Sequence, residues 1–157
     1  MDLRNKSKIR GLRNNNPGNL EKRTTPWQGK VPHTQNTDGR FEQFETIEYG
    51  LRALMINART LIQRGKNTLE KLIYTWAPPS ENNSKNYADY VAKQTNIPKT
   101  QILEARHLTP SFFITLAKAI TAMENGEQSL NLIPHSSFEQ AQKLMSTSLF
   151  TLEKKKE

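Results

Sequence analysis

The sequence predicts a mainly α-helical fold with a loop-rich N-terminal segment, and two patterns in the chain indicate it. Apolar residues recur at three- and four-residue spacing across residues 46–150, which is the period of a buried helix face. Residues 1–45 are instead rich in asparagine, glycine, proline and threonine, which is typical of irregular structure and short strands. No repeat or linker-like stretch divides the 157 residues, so we expect a single domain over residues 1–157.

Five segments combine an apolar stripe with helix start and stop signals. Capping residues or a proline mark most of the starts, while glycine, asparagine or proline marks most of the ends. The predicted helices are one over residues 51–62 that stops at Gly65, one from the Asn67–Glu70 capping pair to Pro78, one from Ser84 to near Asn96, one from Thr109–Pro110 to Asn125–Gly126, and one from the Ser136–Glu139 pair to Met145.

The chain is basic, with a formal net charge of +8 at pH 7. Residues 1–30 hold eight lysines or arginines against Asp2 and Glu21, and Lys154–Lys156 form a second cluster. Such an imbalance indicates an anionic partner, and nucleic acid, cell-wall polymers or a phosphate-rich membrane face would each fit. We expect no membrane span, because no apolar run approaches about 18 residues. We also expect no secretory signal, because the N-terminus lacks an apolar core region.

Glu124 is the strongest candidate for acid chemistry. It lies four residues after Ile120 and eight after Leu116, which places it on the apolar stripe of its own helix. It also lies at the C-terminal end of that helix, where the helix dipole disfavours a negative charge. Both effects raise the pKa of a carboxyl group, as a general acid requires. Spacing alone leaves open the alternative that Glu124 turns into solvent at a frayed helix end.

Three further segments contain candidate site residues. Residues 13–19 (RNNNPGN) predict a tight loop, whose carboxamides on Asn15, Asn16 and Asn19 could also bind sugar hydroxyl and N-acetyl groups. Trp27, in a polar stretch, could stack on a sugar face. Glu81 follows a rigid proline pair and is either a second acid or a solvated loop residue.

Other chemistries have little support in the sequence. His33, His107 and His135 are far apart and lack zinc-site spacing. Phosphate-binding glycine loops and serine-hydrolase elbows are absent, and the chain has no cysteine for thiolate chemistry or disulfides. We therefore expect neither a metal nor a cofactor.

Taken together, several segments resemble a family of phage virion and prophage proteins related to lytic transglycosylases, which are lysozyme-like enzymes. The resemblance covers about residues 11–126. The matching segments are residues 11–20 (GLRNNNPGNL), 27–29 (WQG), 41–44 (FEQF), 50–53 (GLRA) and 76–82 (WAPPSEN), together with Tyr87, Ala119–Ile120 and Glu124–Asn125–Gly126.

The resemblance implies a lysozyme-like helical fold whose catalytic glutamate ends an Ala-Ile-x-x-x-Glu helix. Here that helix ends at Glu124 and follows the Gly-Leu-Arg-Asn segment at residues 11–14, whereas in lytic transglycosylases it precedes the corresponding segment. Residues 84–87 (SKNY) are similar to a Thr-x-x-Tyr segment of those enzymes and supply Tyr87. The reversed order suggests a circularly permuted domain, which is tolerated where chain termini lie near each other.

The implied activity is cleavage of the bond between N-acetylmuramic acid and N-acetylglucosamine in peptidoglycan. In a transglycosylase, Glu124 alone would protonate the glycosidic oxygen and then assist the muramyl C6 hydroxyl to close a 1,6-anhydro ring. A hydrolysing muramidase usually needs a second carboxylate. Asp38, Glu42 and Glu81 are candidates for it, but none stands out. We therefore expect a lytic transglycosylase, with a muramidase as the alternative. The residues expected to bind substrate or to orient the acid are Asn15, Asn16, Asn19, Trp27 and Tyr87.

Two other classes of function remain open from the sequence. One is a non-catalytic virion or cell-wall-binding protein that keeps the same fold. The other is nucleic-acid binding, which residues 1–30 favour by charge but which lacks interleaved aromatic and basic residues. The expected partners are peptidoglycan glycan strands, with other virion or secretion-machine proteins. The expected location is the virion, or the periplasm or cell wall after delivery.

Overall fold

The computed structural model describes residues 1–146 and is built mainly from helices, which confirms the predicted fold class. The basic cluster at Lys154–Lys156 lies outside the described residues. The α-helices are α1 (Arg10–Arg13), α2 (Ile47–Gln63), α3 (Leu69–Trp76), α4 (Ser84–Thr95), α5 (Pro110–Asn125) and α6 (His135–Leu144), with short 3-10 helices at Ala105–His107 and Glu127–Leu132.

The N-terminal segment is irregular, as predicted, but it forms isolated bridges rather than strands. Antiparallel bridges join Glu21 to Phe41 and Lys30 to Phe44. Asn15 and Asn19 adopt left-handed backbone conformations, with φ of 50° and 51°, which asparagine tolerates better than most residues. Within this segment, α1 is a single helical turn, too short to show the periodicity by which the longer helices were predicted.

The ends of α5 confirm the prediction from local signals. The Thr109 side chain accepts the backbone N–H of Phe112 at 3.1 Å, and Pro110 occupies the first helical position. Gly126, with φ of 90°, ends the helix, because a residue without Cβ reaches this region without strain. By contrast, α6 begins at His135 without a side-chain cap, one residue before the predicted Ser136.

Two helices begin with a cap one residue away from the predicted one. Thr68, rather than Asn67, caps α3 by accepting the N–H of Lys71 at 3.0 Å. Asn83, rather than Ser84, caps α4. Each pair contains two adjacent residues whose side chains are both able to cap a helix. The wider fold therefore decides which of the two side chains turns toward the helix end.

A buried cluster of apolar side chains runs from Leu3 to Met145. Within it, α2 packs against α3, α5 and α6, while α4 packs against α3 and α5. The N-terminal loop approaches α2 at Gly50, where a Cβ atom would lie only 1.7 Å from the carbonyl oxygen of Asn15. Glycine at this position therefore allows the asparagine loop to lie directly on the central helix.

Within residues 1–146, no helix has both the length and the apolar character required to cross a bilayer.

Candidate active site

A cleft of about 940 Å³ lies between the N-terminal segment and the helical part of the protein. Asn19, Trp27 and Phe41 contribute to it from the N-terminal segment. Helical and inter-helical residues, including Trp76 and Glu124, complete its lining. The segments that carry the family resemblance span residues 11–126. The cleft brings together residues from the first and the last of these segments, such as Asn19 and Glu124.

Glu124 is the penultimate residue of α5 and faces this cleft. Its Oε1 atom accepts a hydrogen bond from Nδ2 of Asn19 at 2.9 Å. Its Oε2 atom accepts one from the hydroxyl of Tyr87, also at 2.9 Å. Burial raises the pKa of Glu124, and the two hydrogen bonds partly oppose that rise because they favour the charged form.

Tyr87 lies on α4 with only 3% of its surface exposed. Burial and the neighbouring Glu124 carboxylate raise the pKa of its hydroxyl well above 10.0. The hydroxyl therefore remains protonated at neutral pH and can donate to Glu124. The structure thus places both Asn19 and Tyr87 directly against Glu124, so that each orients the carboxyl group.

The loop carrying Asn19 is held from two sides by side chains that the sequence did not single out as site residues. Nδ2 of Asn125, the last residue of α5, donates to the carbonyl oxygen of Pro17 at 2.8 Å. Nε1 of Trp76, the last residue of α3, donates to the carbonyl oxygen of Gly18 at 3.1 Å. These bonds fix the two residues immediately before Asn19 to the helices that line the cleft.

Gly11 makes room for the carboxamides beside the acid. A Cβ atom at this position would lie 2.2 Å from Oδ1 of Asn125 and 3.0 Å from Oδ1 of Asn19. Among the residues that the structure describes, both oxygens are buried and accept no hydrogen bond. A methyl group on Gly11 would therefore displace two side chains that position Glu124 and its loop. Gly11 belongs to a matching segment of the resemblance, but nothing local indicated this contact.

Asn15 and Asn16 lie away from the cleft and stabilise the loop from within. Both side chains are fully buried. Asn15 Nδ2 donates to Asp2 and to the carbonyl of Phe44, and its Oδ1 accepts the N–H of Leu3. All three of these hydrogen bonds join parts of the N-terminal segment to one another.

The side chain of Asn16 also forms its hydrogen bonds within the N-terminal segment. Its Nδ2 donates to the carbonyls of Leu20 and Glu42, both at 2.9 Å, and its Oδ1 accepts the N–H of Leu20 at 3.0 Å. Since neither carboxamide is exposed or free to bind a sugar, the predicted substrate contacts of Asn15 and Asn16 are replaced by a structural role.

Trp27 and Glu81 both line the cleft. Trp27 is partly buried against the core, so its position is compatible with the predicted stacking on a sugar. Glu81 lies in the connection between α3 and α4, and its side chain is 58% exposed. Its carboxylate contacts Arg40 at 3.4 Å, and within residues 1–146 no hydrogen bond joins it to Glu124. The structure thus gives Glu81 no direct part in holding the acid.

The other two candidate acids, Asp38 and Glu42, are engaged in ion pairs. Arg10 binds Asp38 through two hydrogen bonds of 2.8 and 2.9 Å, which hold the pKa of that carboxyl well below its usual range. Glu42 is fully buried and accepts hydrogen bonds from Lys30 at 3.2 Å and from the backbone of Arg23 at 3.0 Å. Neither carboxylate lines the cleft.

In the part of the chain from residue 1 to 146, no three histidine, aspartate or glutamate side chains come together in a way that could hold a metal ion.

Comparison with known proteins supports a link to bacteriophages. No protein-family profile matches the chain. The chain is 36% identical over 121 residues to "Protein P5" of Pseudoalteromonas phage PM2, and the match covers 74% of this chain and 71% of that protein. The protein therefore belongs to the same family as Protein P5 of this phage.

Proposed function

We propose that the protein is a peptidoglycan-cleaving enzyme that acts as a lytic transglycosylase on the bond between N-acetylmuramic acid and N-acetylglucosamine. The observation that carries this proposal is the carboxyl group of Glu124, which faces the cleft between the Asn19 and Tyr87 donors at 2.9 Å each. The similarity to a phage protein supports a virion or other phage-delivered context.

The environment of Glu124 suits a general acid. Its pKa is raised by burial, so the carboxyl group holds its proton at a higher pH than an exposed glutamate does. Two fixed donors restrict the orientation of the group, which limits the reorganisation needed during proton transfer. The cleft volume of about 940 Å³ is at the upper end of the roughly 300–1,000 Å³ range of small-molecule sites, as an oligosaccharide would need.

In the proposed reaction, Glu124 donates its proton to the glycosidic oxygen as the bond to muramyl C1 breaks. The resulting carboxylate then accepts the proton of the muramyl C6 hydroxyl while that oxygen bonds to C1. The products are a 1,6-anhydromuramyl end and a new free hydroxyl on the leaving sugar, and Glu124 regains its proton. Tyr87 and Asn19 stabilise the carboxylate between the two steps, and Trp27 stacks on a sugar ring.

The transglycosylase route is preferred over hydrolysis because the four candidate carboxylates of the described residues are poorly placed for a second catalytic role. Asp38 and Glu42 are paired away from the cleft. Glu21 and Glu81 line the cleft, but both contact Arg40. A muramidase would usually require a second free carboxylate across the scissile bond.

The order of the elements supports the further proposal of a circularly permuted lysozyme-like domain. The asparagine loop precedes α2, whereas α5, which carries Glu124, comes fourth of the five longer helices in residues 1–146. The two are nevertheless joined by the hydrogen bonds from Asn19 to Glu124 and from Asn125 to Pro17.

The test is digestion of purified peptidoglycan, followed by mass analysis of the products. Anhydromuramyl ends are one water lighter than the reducing ends that a muramidase leaves. Glu124→Gln should abolish cleavage, whereas Glu139→Gln, an exposed glutamate on α6, should retain it. Products with reducing ends would reassign the protein as a muramidase. Binding to peptidoglycan without any cleavage would indicate a non-catalytic wall-binding protein.

A further inference from the structure

The lining of the cleft contains three arginines in different electrostatic situations. Arg40 is paired with Glu21 at 2.7 Å and with Glu81 at 3.4 Å. Arg23 and Arg64 also line the cleft and are exposed. Within residues 1–146, neither of them has a carboxylate within 4.0 Å. The cleft therefore presents two guanidinium groups whose charge the described part of the protein leaves uncompensated.

The two free arginines come from separate parts of the structure. Arg23 lies in the N-terminal segment, between Asn19 and Trp27. Arg64 directly follows the last residue of α2, Gln63. Because the two guanidiniums arise from different elements around one cleft, a bound strand could meet positive charge at two points.

The sugar rings of the glycan strand carry no negative charge that could pair with the guanidinium groups of Arg23 and Arg64, because these rings are neutral apart from their substituents. When Glu124 holds its proton, the carboxylates that line the cleft are those of Glu21 and Glu81, and both contact Arg40. The two unpaired guanidinium groups are therefore suited to bind a carboxylate of the ligand, because arginine forms paired, charge-assisted hydrogen bonds with that group. In peptidoglycan, carboxylates are carried by the stem peptides attached to N-acetylmuramic acid.

We propose that Arg23 and Arg64 bind stem-peptide carboxylates, so that peptide-bearing glycan strands are the preferred substrate over strands stripped of peptide. This rests on the proposed function, in which the cleft binds peptidoglycan and Glu124 is the acid. Arg23 and Arg64 then determine specificity, while Asn19 and Tyr87 serve the chemistry.

The test compares kcat/KM on two soluble substrates: peptide-bearing glycan strands, and the same strands stripped by an amidase. Because stripping leaves a free lactyl carboxylate on each muramic acid, these carboxylates are converted to neutral amides before the comparison. The wild-type protein should prefer peptide-bearing strands. The double substitution Arg23→Gln with Arg64→Gln should lower that preference about tenfold, as expected for the loss of charge-assisted hydrogen bonds. The loss should appear mainly in KM for the peptide-bearing strand.

The matched control is Lys8→Gln with Lys66→Gln. Both lysines are exposed and outside the cleft lining, so this variant loses the same charge and should keep the wild-type preference. The proposal is overturned if the control loses the preference equally, or if the arginine variant weakens cleavage of both strands alike. A wild-type protein that cleaves both strands with equal kcat/KM would overturn this inference alone, whereas cleavage of neither would overturn the proposed function as well.

Discussion

Nδ2 of Asn19 lies 2.9 Å from Oε1 of Glu124, although 105 positions separate the two residues in the sequence. A second bond, from Asn125 to the carbonyl of Pro17, joins the same loop to the same helix end across 108 positions. Together the two hydrogen bonds fix the position of the loop relative to the C-terminal end of α5. The candidate acid is thus oriented by a segment near the start of the chain.

Tyr87→Phe should move the alkaline limb of the pH–rate profile upward. The hydroxyl of Tyr87 lowers the pKa of Glu124 by binding its charged form, so its removal lets that pKa rise further. Because the acid form is active, activity should persist to higher pH, while the maximal rate falls roughly tenfold for loss of an orienting group. The measurement is kcat against pH, with Tyr74→Phe on α3 as the control. A shift of the limb to lower pH would contradict this role.

Glu124→Gln should increase stability at alkaline pH. Burial raises the pKa of Glu124 above its ordinary value of 4.5, so the folded protein binds this proton more tightly than the unfolded chain. Stability is therefore lost as pH rises from the unfolded pKa through the raised folded pKa. Removing the ionisable group should raise Tm at pH 8 more than at pH 4, as measured by thermal denaturation. A Tm difference that does not depend on pH would refute the desolvation of Glu124.

Gly11→Ala should reduce activity much more than stability. The added methyl group would meet Oδ1 of Asn125 and Oδ1 of Asn19, and these are side-chain atoms that can rotate away at moderate cost. Their rotation would displace the donors that orient Glu124 and its loop. We expect kcat to fall about 100-fold, as for a misplaced catalytic group. The control is Gly39→Ala, where a Cβ would meet nothing within 4 Å. Equal activity in the two variants would exclude a positioning role for Gly11.

Asn16→Ala should lower stability without changing KM. The substitution removes a side chain that is fully buried and forms hydrogen bonds with the backbone of Leu20 and Glu42. We expect the free energy of unfolding to fall by about 1–3 kcal/mol, since buried backbone groups lose their partner. Urea denaturation measures this, with the exposed Asn131→Ala as the control. A rise in KM without loss of stability would restore the substrate contact predicted from the sequence.

The sequence by itself determined the five longer helices of the described residues and the position of the acid on its helix. The Thr109–Pro110 start and the Gly126 end of α5 are local signals, and the structure confirms both. The spacing of Glu124 from Ile120 likewise places it on the buried side of the helix. These features depend on neighbours within one or two turns, so they can be predicted without knowing how the chain folds back on itself.

Only the tertiary structure decided which polar side chains serve the site. Asn15, Asn16 and Asn19 are chemically identical, yet two are buried within the loop and one binds Glu124. The parts played by Gly11 and Asn125 also arise from contacts across the fold. A carboxamide can donate and accept in almost any setting. Its role is therefore set by the partners that packing brings to it, and those partners are distant in the sequence.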